Sequence, residues 1–373
     1  MNPSQTDSKF SSLNRSRSPE IEKSGTLEAK FYIEQDVYER QVEKVFASSW
    51  QFCGDLDSLD TSETILPVTL LPGCLDEPLI LSRDCNDKIH VLSNVCTHRG
   101  SILIEEKRSN SKINCRYHGR CFSLGGTFLS APGFDAACDF PSDKDNLPKL
   151  DTEYFGKFIF TSVQPEYPFR DLIQDMMDRV GWLPLEKCEL DPSNSRTYFV
   201  DANWALYVDN YLEGLHIPFV HPGLAAILDT KNYKTELMKY GNLQIGIATE
   251  EDDAFVLPAS SPDYGKRVAA YYYWLFPNTM FNFYPWGISI NIVEPMGVDK
   301  TRIRFLTYVY DKDKMGSYSP DSINTTELED EAVVEAVQKG MRSRLYNQGR
   351  YSPQWEVGVH QFHQLLTERL STN

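Results

Sequence analysis

The chain has 373 residues, with 37 Lys and Arg against 53 Asp and Glu and a formal charge of −16 at pH 7. Phosphate recognition needs clustered cations, so this balance excludes a general nucleic-acid binder and mildly favours a cationic substrate or partner. With 41% hydrophobic and 24% charged residues, and no run near the roughly 20 apolar residues of a membrane-spanning helix, a folded, soluble, cytoplasmic protein of about two domains is expected, with no membrane partner.

Residues 1–26 scatter Ser4, Ser8, Ser11, Ser12, Ser16 and Ser18 among charges and read as a disordered polar tail. A plastid transit peptide shares the Ser, Lys and Arg, but Asp7, Glu20 and Glu22 fit its acid-poor composition badly. Within residues 27–50, Val37, Val42, Val45 and Phe46 recur at helical spacing, which predicts an amphipathic helix packing on the later domain. From 51 to 165, Ile65–Leu71, Pro78–Ser82, Ile89–Ser93 and Phe155–Thr161 are short apolar runs separated by turn residues, the pattern of an all-β domain.

Residues 166–373 make the second domain. Pro165–Asn194 reads as helical and connecting, and Tyr198–His221 passes from a strand into a helix that Pro218 must end or bend. Leu243–Ala248, Ala269–Phe276, Met280–Tyr284, Ser289–Pro295 and Thr301–Tyr310 read as strands of one antiparallel sheet, and helices at about 326–346 and 355–370 close the chain. The fold class is α+β: an all-β N-terminal domain followed by a central antiparallel sheet flanked by helices.

Two constellations carry chemistry. Cys96-Thr97-His98 and Cys115-Arg116-Tyr117-His118 place one thiol and one imidazole on each of two short loops. Structural zinc sites usually pair Cys with Cys and His with His, whereas a Rieske [2Fe-2S] centre places two Cys on one iron and two His on the other, as loops offering one of each would do. The other six cysteines, Cys53, Cys74, Cys85, Cys121, Cys138 and Cys188, have no such partners and read as small buried or surface thiols. Further along, His216 and His221 flank a helix break with Glu213 three residues before the first. Two His and one carboxylate on one face of a metal are the ligand set of open-position non-haem iron sites. The third ligand is expected on the helix near 326–346, where Val333, Val334, Val337, Met341 and Leu345 mark a buried stripe with Asp330 near its centre; Glu329 is the alternative.

With Arg99-Gly100 and Gly119 flanking it, the first constellation resembles the Rieske motif of ring-hydroxylating oxygenases, and the second resembles the catalytic domain of the same family, so that the likeness covers the chain from about residue 30 onward. One departure is Arg120-Cys121, where many members have Trp after the His-Gly pair. The resemblance implies a [2Fe-2S] cluster on Cys96, His98, Cys115 and His118, and mononuclear Fe(II) on His216, His221 and Asp330. It implies that Glu213, where many members have Asp, bridges the iron site to a neighbouring subunit's cluster, and that Asn210 lies near the iron. It also implies a homotrimer and a separate flavin or iron-sulfur reductase. The chain has no Gly-rich nucleotide fingerprint, so NADH or NADPH would enter only through that reductase.

Within the family, Val208–Glu213, Pro222-Gly223-Leu224, Gly349-Arg350-Tyr351 and Phe362-His363 look most like the branch of choline monooxygenases and carnitine or betaine oxygenases. The resemblance thus implies O2-dependent hydroxylation or N-dealkylation of a quaternary ammonium compound. The run Tyr271–Phe276 with Phe281, Phe283, Tyr284 and Trp286 could lend one or two rings to a cation site, though most must be sheet core. An aromatic or aromatic-acid substrate is the alternative, with an Arg or Lys in the pocket as its mark; an electron carrier with a vestigial second site is a third. Trp355, Val359, Phe362 and Leu366 place His360 and His363 off the apolar face of the last helix, so both are expected in solvated or supporting roles.

Overall fold

The computed structural model describes residues 18–221, 234–248, 254–315 and 320–371. The chain divides into two compact units, one made by Ala47–Glu166 and the other by the segment up to Phe46 together with Tyr167–Asn373. The fold class is the one expected from the sequence: an all-β unit and an α+β unit.

The smaller unit holds ten short strands: β1 (Gln51–Asp55), β2 (Thr64–Leu70), β3 (Glu77–Arg83), β4 (Ile89–Ser93), β5 (Arg108–Ser109), β6 (Lys112–Asn114), β7 (Cys121–Ser123), β8 (Phe128–Ser130), β9 (Asp151–Phe155) and β10 (Phe158–Ser162). They form three antiparallel sheets in the orders β1-β10-β9, β4-β3-β2-β5 and β6-β7-β8. Strand β3 is buried on both faces, and its period of two sorts its side chains into two cores. Leu79 and Leu81 join Leu59, Leu70, Val91 and Ile159 on one side. Ile80 joins Ile65, Leu92 and Phe122 on the other, and that second core contains Cys96 and Cys115. The run Phe155–Thr161, expected as one strand, is the two arms of a hairpin. Phe155 pairs with Phe158 across a turn in which Gly156 takes φ 54°, a left-handed conformation that glycine adopts without strain.

In the larger unit the N-terminal segment is not a tail throughout. Thr26 donates its N–H to the Gly349 carbonyl at 3.2 Å and Gly25 bridges to Arg350, which ties residues 18–26 to the end of the chain. Two short helices follow, α1 (Lys30–Ile33) and α2 (Gln35–Gln41), the second continued by a π-turn over Val42–Phe46. Their apolar face meets the helix that begins at Trp204: Phe46 packs edge-on to Trp204 at 4.8 Å, and Trp204 Nε1 donates to Gln41 at 2.7 Å.

The remaining elements are α3 (Phe169–Val180), β11 (Glu189–Leu190), β12 (Arg196–Val200), α4 (Trp204–Tyr211), α5 (Ile217–Val220), β13 (Lys234–Met238), β14 (Gly241–Ile247), β15 (Val268–Leu275), β16 (Thr279–Tyr284), β17 (Gly287–Gly297), β18 (Lys300–Val309), α6 (Pro320–Met341) and α7 (Val357–Ser371). Strands β13 to β18 form an antiparallel meander, and β11 and β12 both pair with the long β18. Both sheet faces are covered, which explains why β15 and β16 are continuous aromatic runs and not alternating ones. One face carries Tyr271 and Tyr273 toward α3, where Tyr273 donates to Asp175 at 2.7 Å. The other faces α4 and α7: Tyr211 donates to Asn282 at 2.6 Å, Gln244 donates to the Tyr211 carbonyl at 2.7 Å, and Trp274 meets Phe362 at 5.1 Å.

Candidate functional site

The two Cys-His loops have the same backbone construction. Cys96 N donates to Ser101 O at 2.8 Å and Gly100 N to Cys96 O at 3.0 Å; Cys115 N donates to Arg120 O at 2.8 Å and Gly119 N to Cys115 O at 3.0 Å. Each loop turns on a glycine with φ near +70°, Gly100 at 69° and Gly119 at 74°, which is why the motif carries Gly four residues after each Cys. The thiols are buried together, whereas His98 is half-buried and His118 is exposed, their rings 4.8 Å apart. Burial pushes the Cys96 thiol up, with the His98 N–H working against it. Burial acts the same way on Cys115, but there the Tyr117 and His118 N–H groups and hydrogen bonds from Cys96 and Ser101 outweigh it and the thiol is lowered. Amide N–H groups aimed at buried sulfur, with imidazoles nearer solvent, suit a [2Fe-2S] cluster that two thiolates and two imidazoles would hold.

Helix α4 begins at Trp204 because Asn203 caps it, accepting the Ala205 N–H at 3.0 Å, and it ends at Leu212. Pro218 does not end this helix. It sits in the first turn of a second short helix, α5, where its missing N–H costs nothing. His216 and His221 are the N-cap and C-cap of α5, and this bracket turns both rings to one side. His216 Nε2, His221 Nε2 and an Asp330 oxygen lie within 4.8 Å of one another, the only such set of three His, Cys, Asp or Glu donors among the described residues. Asp330 Oδ1 is 2.9 Å from His221 Nε2 and 3.6 Å from His216 Nε2. The far nitrogens are held by other carboxylates: His216 Nδ1 lies 2.5 Å from Glu213 Oε1, and His221 Nδ1 lies 2.7 Å from Glu329 Oε2. Glu213 also accepts the backbone N–H groups of Leu215 and His216. Asn210 donates to Asp330 Oδ1 at 2.5 Å.

Imidazoles oriented by outer carboxylates, with both Nε2 atoms converging on a third carboxylate, suit a divalent metal with positions left open. His221 is 1% exposed. Its burial disfavours the imidazolium, but hydrogen bonds and charge from Asp330 and Glu329 overcome this and raise its pKa. The structure therefore separates the two carboxylates proposed for the third ligand: Asp330 faces the shared point, and Glu329 supports His221 from behind.

Asp330 faces inward for a reason other than the one the sequence suggests. The buried side of α6 carries Glu327, Val334 and Gln338, while Val337 is exposed and Leu345, beyond the helix end, is 99% exposed. Tyr207 donates to Glu327 at 2.8 Å, and Gln338 accepts the Asn203 N–H at 2.8 Å, so α6 docks on α4 through polar contacts. His360 and His363 are also not solvated. His363 is 1% exposed, with Nε2 2.7 Å from Asp209 and Nδ1 2.7 Å from the Tyr351 hydroxyl; Tyr32 donates to the same Asp209 at 2.8 Å. Asp209 thus anchors a buried network behind α4, which its place beside Asn210 in the sequence does not reveal. Pro222-Gly223-Leu224 lie outside the described residues.

A pair of Cys-His loops and a two-His, one-carboxylate convergence in one chain define an oxygenase of the Rieske non-haem iron class. The chain belongs to the ring hydroxylating alpha subunit family: the catalytic-domain model matches residues 181–372, and a Rieske [2Fe-2S] domain model matches residues 50–148. It is accordingly an oxygenase carrying a Rieske cluster and mononuclear iron, and it works with O2, an organic substrate and a separate reductase. It is 29% identical to the chloroplastic choline monooxygenase of Arabidopsis thaliana over 94% of this chain and 84% of that one. It is 28% identical to the carnitine monooxygenase oxygenase subunit of Escherichia coli K12, over 92% and 93% of the two chains. Its fold matches the quaternary ammonium Rieske monooxygenase CntA in complex with L-carnitine, with a TM-score of 0.75 at 22% identity over 94% of this chain and 97% of that one. It matches naphthalene 1,2-dioxygenase from Rhodococcus sp. with a TM-score of 0.75 at 18% identity, over 98% and 97%. Among the described residues no helix is long and apolar enough to cross a membrane.

Proposed function

We propose that this chain is the terminal oxygenase of a quaternary ammonium monooxygenase, with Fe(II) on His216, His221 and Asp330 and the [2Fe-2S] cluster on Cys96, His98, Cys115 and His118. The observation that carries the iron assignment is the double orientation of the imidazoles, each Nε2 turned to Asp330 and each Nδ1 held by a separate carboxylate. Iron bound there supplies the centre that activates dioxygen. The surrounding residues keep that centre in shape: Glu213 and Glu329 fix the ring tautomers, and Asn210 holds the Asp330 carboxylate in place.

Overall, O2, two electrons and two protons yield one hydroxylated substrate and one water. Hydroxylation of an N-methyl group would release formaldehyde, and a second hydroxyl on an alcohol carbon would leave an aldehyde after loss of water. The substrate class is supported by the choline and carnitine monooxygenases to which the chain is similar. It is also supported by the sheet face turned toward α4. That face presents Gln244, Asn282, Ser289, Asn291 and Thr307, and at one end Tyr284 stacks on Trp286 at 5.1 Å with Tyr272 edge-on at 6.0 Å. Neutral amides and ring faces suit a cation better than a carboxylate.

We also propose a homotrimer, with Glu213 leading to the neighbouring subunit's cluster. The reductase we expect is a flavin and iron-sulfur protein fed by NADH or NADPH. The test is substrate-dependent O2 uptake with product analysis, using choline, carnitine and glycine betaine against benzoate and naphthalene. Turnover of a quaternary amine is expected; coupled turnover of only the aromatic compounds would overturn the substrate assignment.

A further inference from the structure

Arg120 closes the second cluster loop with its carbonyl and crosses to the first loop with its side chain. Its Nη1 donates to Thr97 Oγ1 at 2.8 Å and lies 3.3 Å from Asp145 Oδ1, while the Thr97 hydroxyl donates to the Asp145 carbonyl at 2.8 Å. The guanidinium carbon lies 5.2, 5.3 and 5.3 Å from the ring centres of Phe128, Phe134 and Phe140. Phe134 in turn packs edge-on to His98 at 5.2 Å. Arg120 is 3% exposed and its Nε has no hydrogen-bond partner, so three ring faces and one carboxylate stand in for the water it has lost. Asp145 is fixed in turn by the Ser142 N–H at 2.8 Å and hydroxyl at 3.1 Å. A buried cation held this firmly joins both ligand loops, whereas its counter-charge meets them only through Arg120 and is otherwise held by Ser142.

We infer that Arg120 and Asp145 are positioning residues that set the reduction potential of the [2Fe-2S] cluster as an opposed charge pair, with Arg120 dominant. The inference rests on the assignment of the cluster to these two loops. Reduction adds one negative charge to the cluster. A fixed cation nearby stabilises the reduced form and a fixed anion the oxidised form, through the net-charge lever on cluster potentials. A unit charge at roughly 12 Å in an effective dielectric of about 20 changes the reduced-to-oxidised ratio by about tenfold. For a one-electron couple that is about 59 mV. The pair would thereby adjust how readily the cluster accepts electrons from the reductase.

The test is a spectroelectrochemical titration of the intact oxygenase without reductase or substrate, with iron and sulfide content and the cluster's EPR spectrum confirming loading. Arg120→Gln should shift the ratio about tenfold toward the oxidised cluster at a fixed ambient potential, and Asp145→Asn several-fold the other way. Arg120→Lys should stay nearer the wild type. Shifts of the same sign in Arg120→Gln and Asp145→Asn, or shifts under twofold in both with full loading, would overturn the inference. If Arg120→Gln does not retain its cluster, Asp145→Asn decides alone: a shift toward the reduced form supports the pair, and none refutes it. Cys115→Ser checks the cluster assignment separately, since retention of the cluster in that variant would refute the assignment itself.

Discussion

Glu329 and Asp330 are adjacent in sequence, yet the geometry gives them different work, and paired substitutions separate the two roles. Asp330 Oδ1 lies among the converging Nε2 atoms, so Asp330→Ala removes the anionic ligand and should lower Fe(II) affinity by at least about a thousandfold. Glu329 touches only the far side of the His221 ring, at 2.7 Å. Loss of such an outer partner costs about 10- to 100-fold in metal affinity, and its side chain is 38% exposed, which places Glu329→Gln near tenfold, about 1.4 kcal/mol. Anaerobic Fe(II) titration against a chromophoric chelator measures both, with the visible spectrum of the cluster as the control for folding.

The pH dependence adds a second constraint. Despite burial, His221 has a raised pKa, because Asp330 and Glu329 stabilise its protonated form. Glu329 therefore strengthens the hold on a proton as well as on the metal. The gap between wild type and Glu329→Gln should narrow as the pH falls through the raised His221 value, above the usual value of about 6.5, where protons compete for the ring. A Glu329→Gln protein that loses iron completely while Asp330→Ala keeps it would refute the assignment and make Glu329 the ligand.

Three further outcomes follow from buried groups near and behind the site. Burial pushes the Glu327 carboxyl well up, Asp330 adds to this, and the Tyr207 hydrogen bond only partly offsets it. Glu327→Gln should leave iron affinity within about twofold, and denaturation should show the variant retaining stability that the wild type loses as pH rises above the unfolded value of about 4.3. Asp263 is raised by burial, but Lys266 and Arg179 pull it below the usual carboxylate range. Asp263→Asn should cost about 3 kcal/mol at neutral pH in chemical denaturation, and the cost should fade as pH falls below about 3.9 and through the depressed folded value. Asp209→Ala strips His363 and Tyr32 of their shared carboxylate and should lower stability by about 1–3 kcal/mol with iron content unchanged, because Asp209 touches none of the three ligands.

The parts of the site that could be read from the sequence are those whose geometry is closed over a few residues. Each cluster loop spans from Cys to the residue five places on, so its ligand and its turn glycine sit together in the sequence. His216 and His221 are likewise separated by one turn of helix. Asp330 lies 109 residues from His221, and only the packing of α6 decides which of its acids faces the two imidazoles. Helical periodicity selected Asp330 through a stripe of valines, but the face that docks is set by Glu327 and Gln338 meeting Tyr207 and Asn203, contacts that a hydrophobicity pattern counts as exposed.

His363 and Arg120 show the same limit from the other side. Each is a polar residue buried because a partner distant in sequence accepts it: Asp209 is 154 residues away and Asp145 is 25. Burial of such a group is a property of the pair, so neither residue alone announces it. The pairing constraint runs in the opposite direction once a structure is known. A buried cation or imidazole must be matched within a few ångströms, and the identity of its match fixes what its removal should change: the potential for Arg120 against Asp145, the fold for His363 against Asp209, and metal affinity for His221 against Glu329.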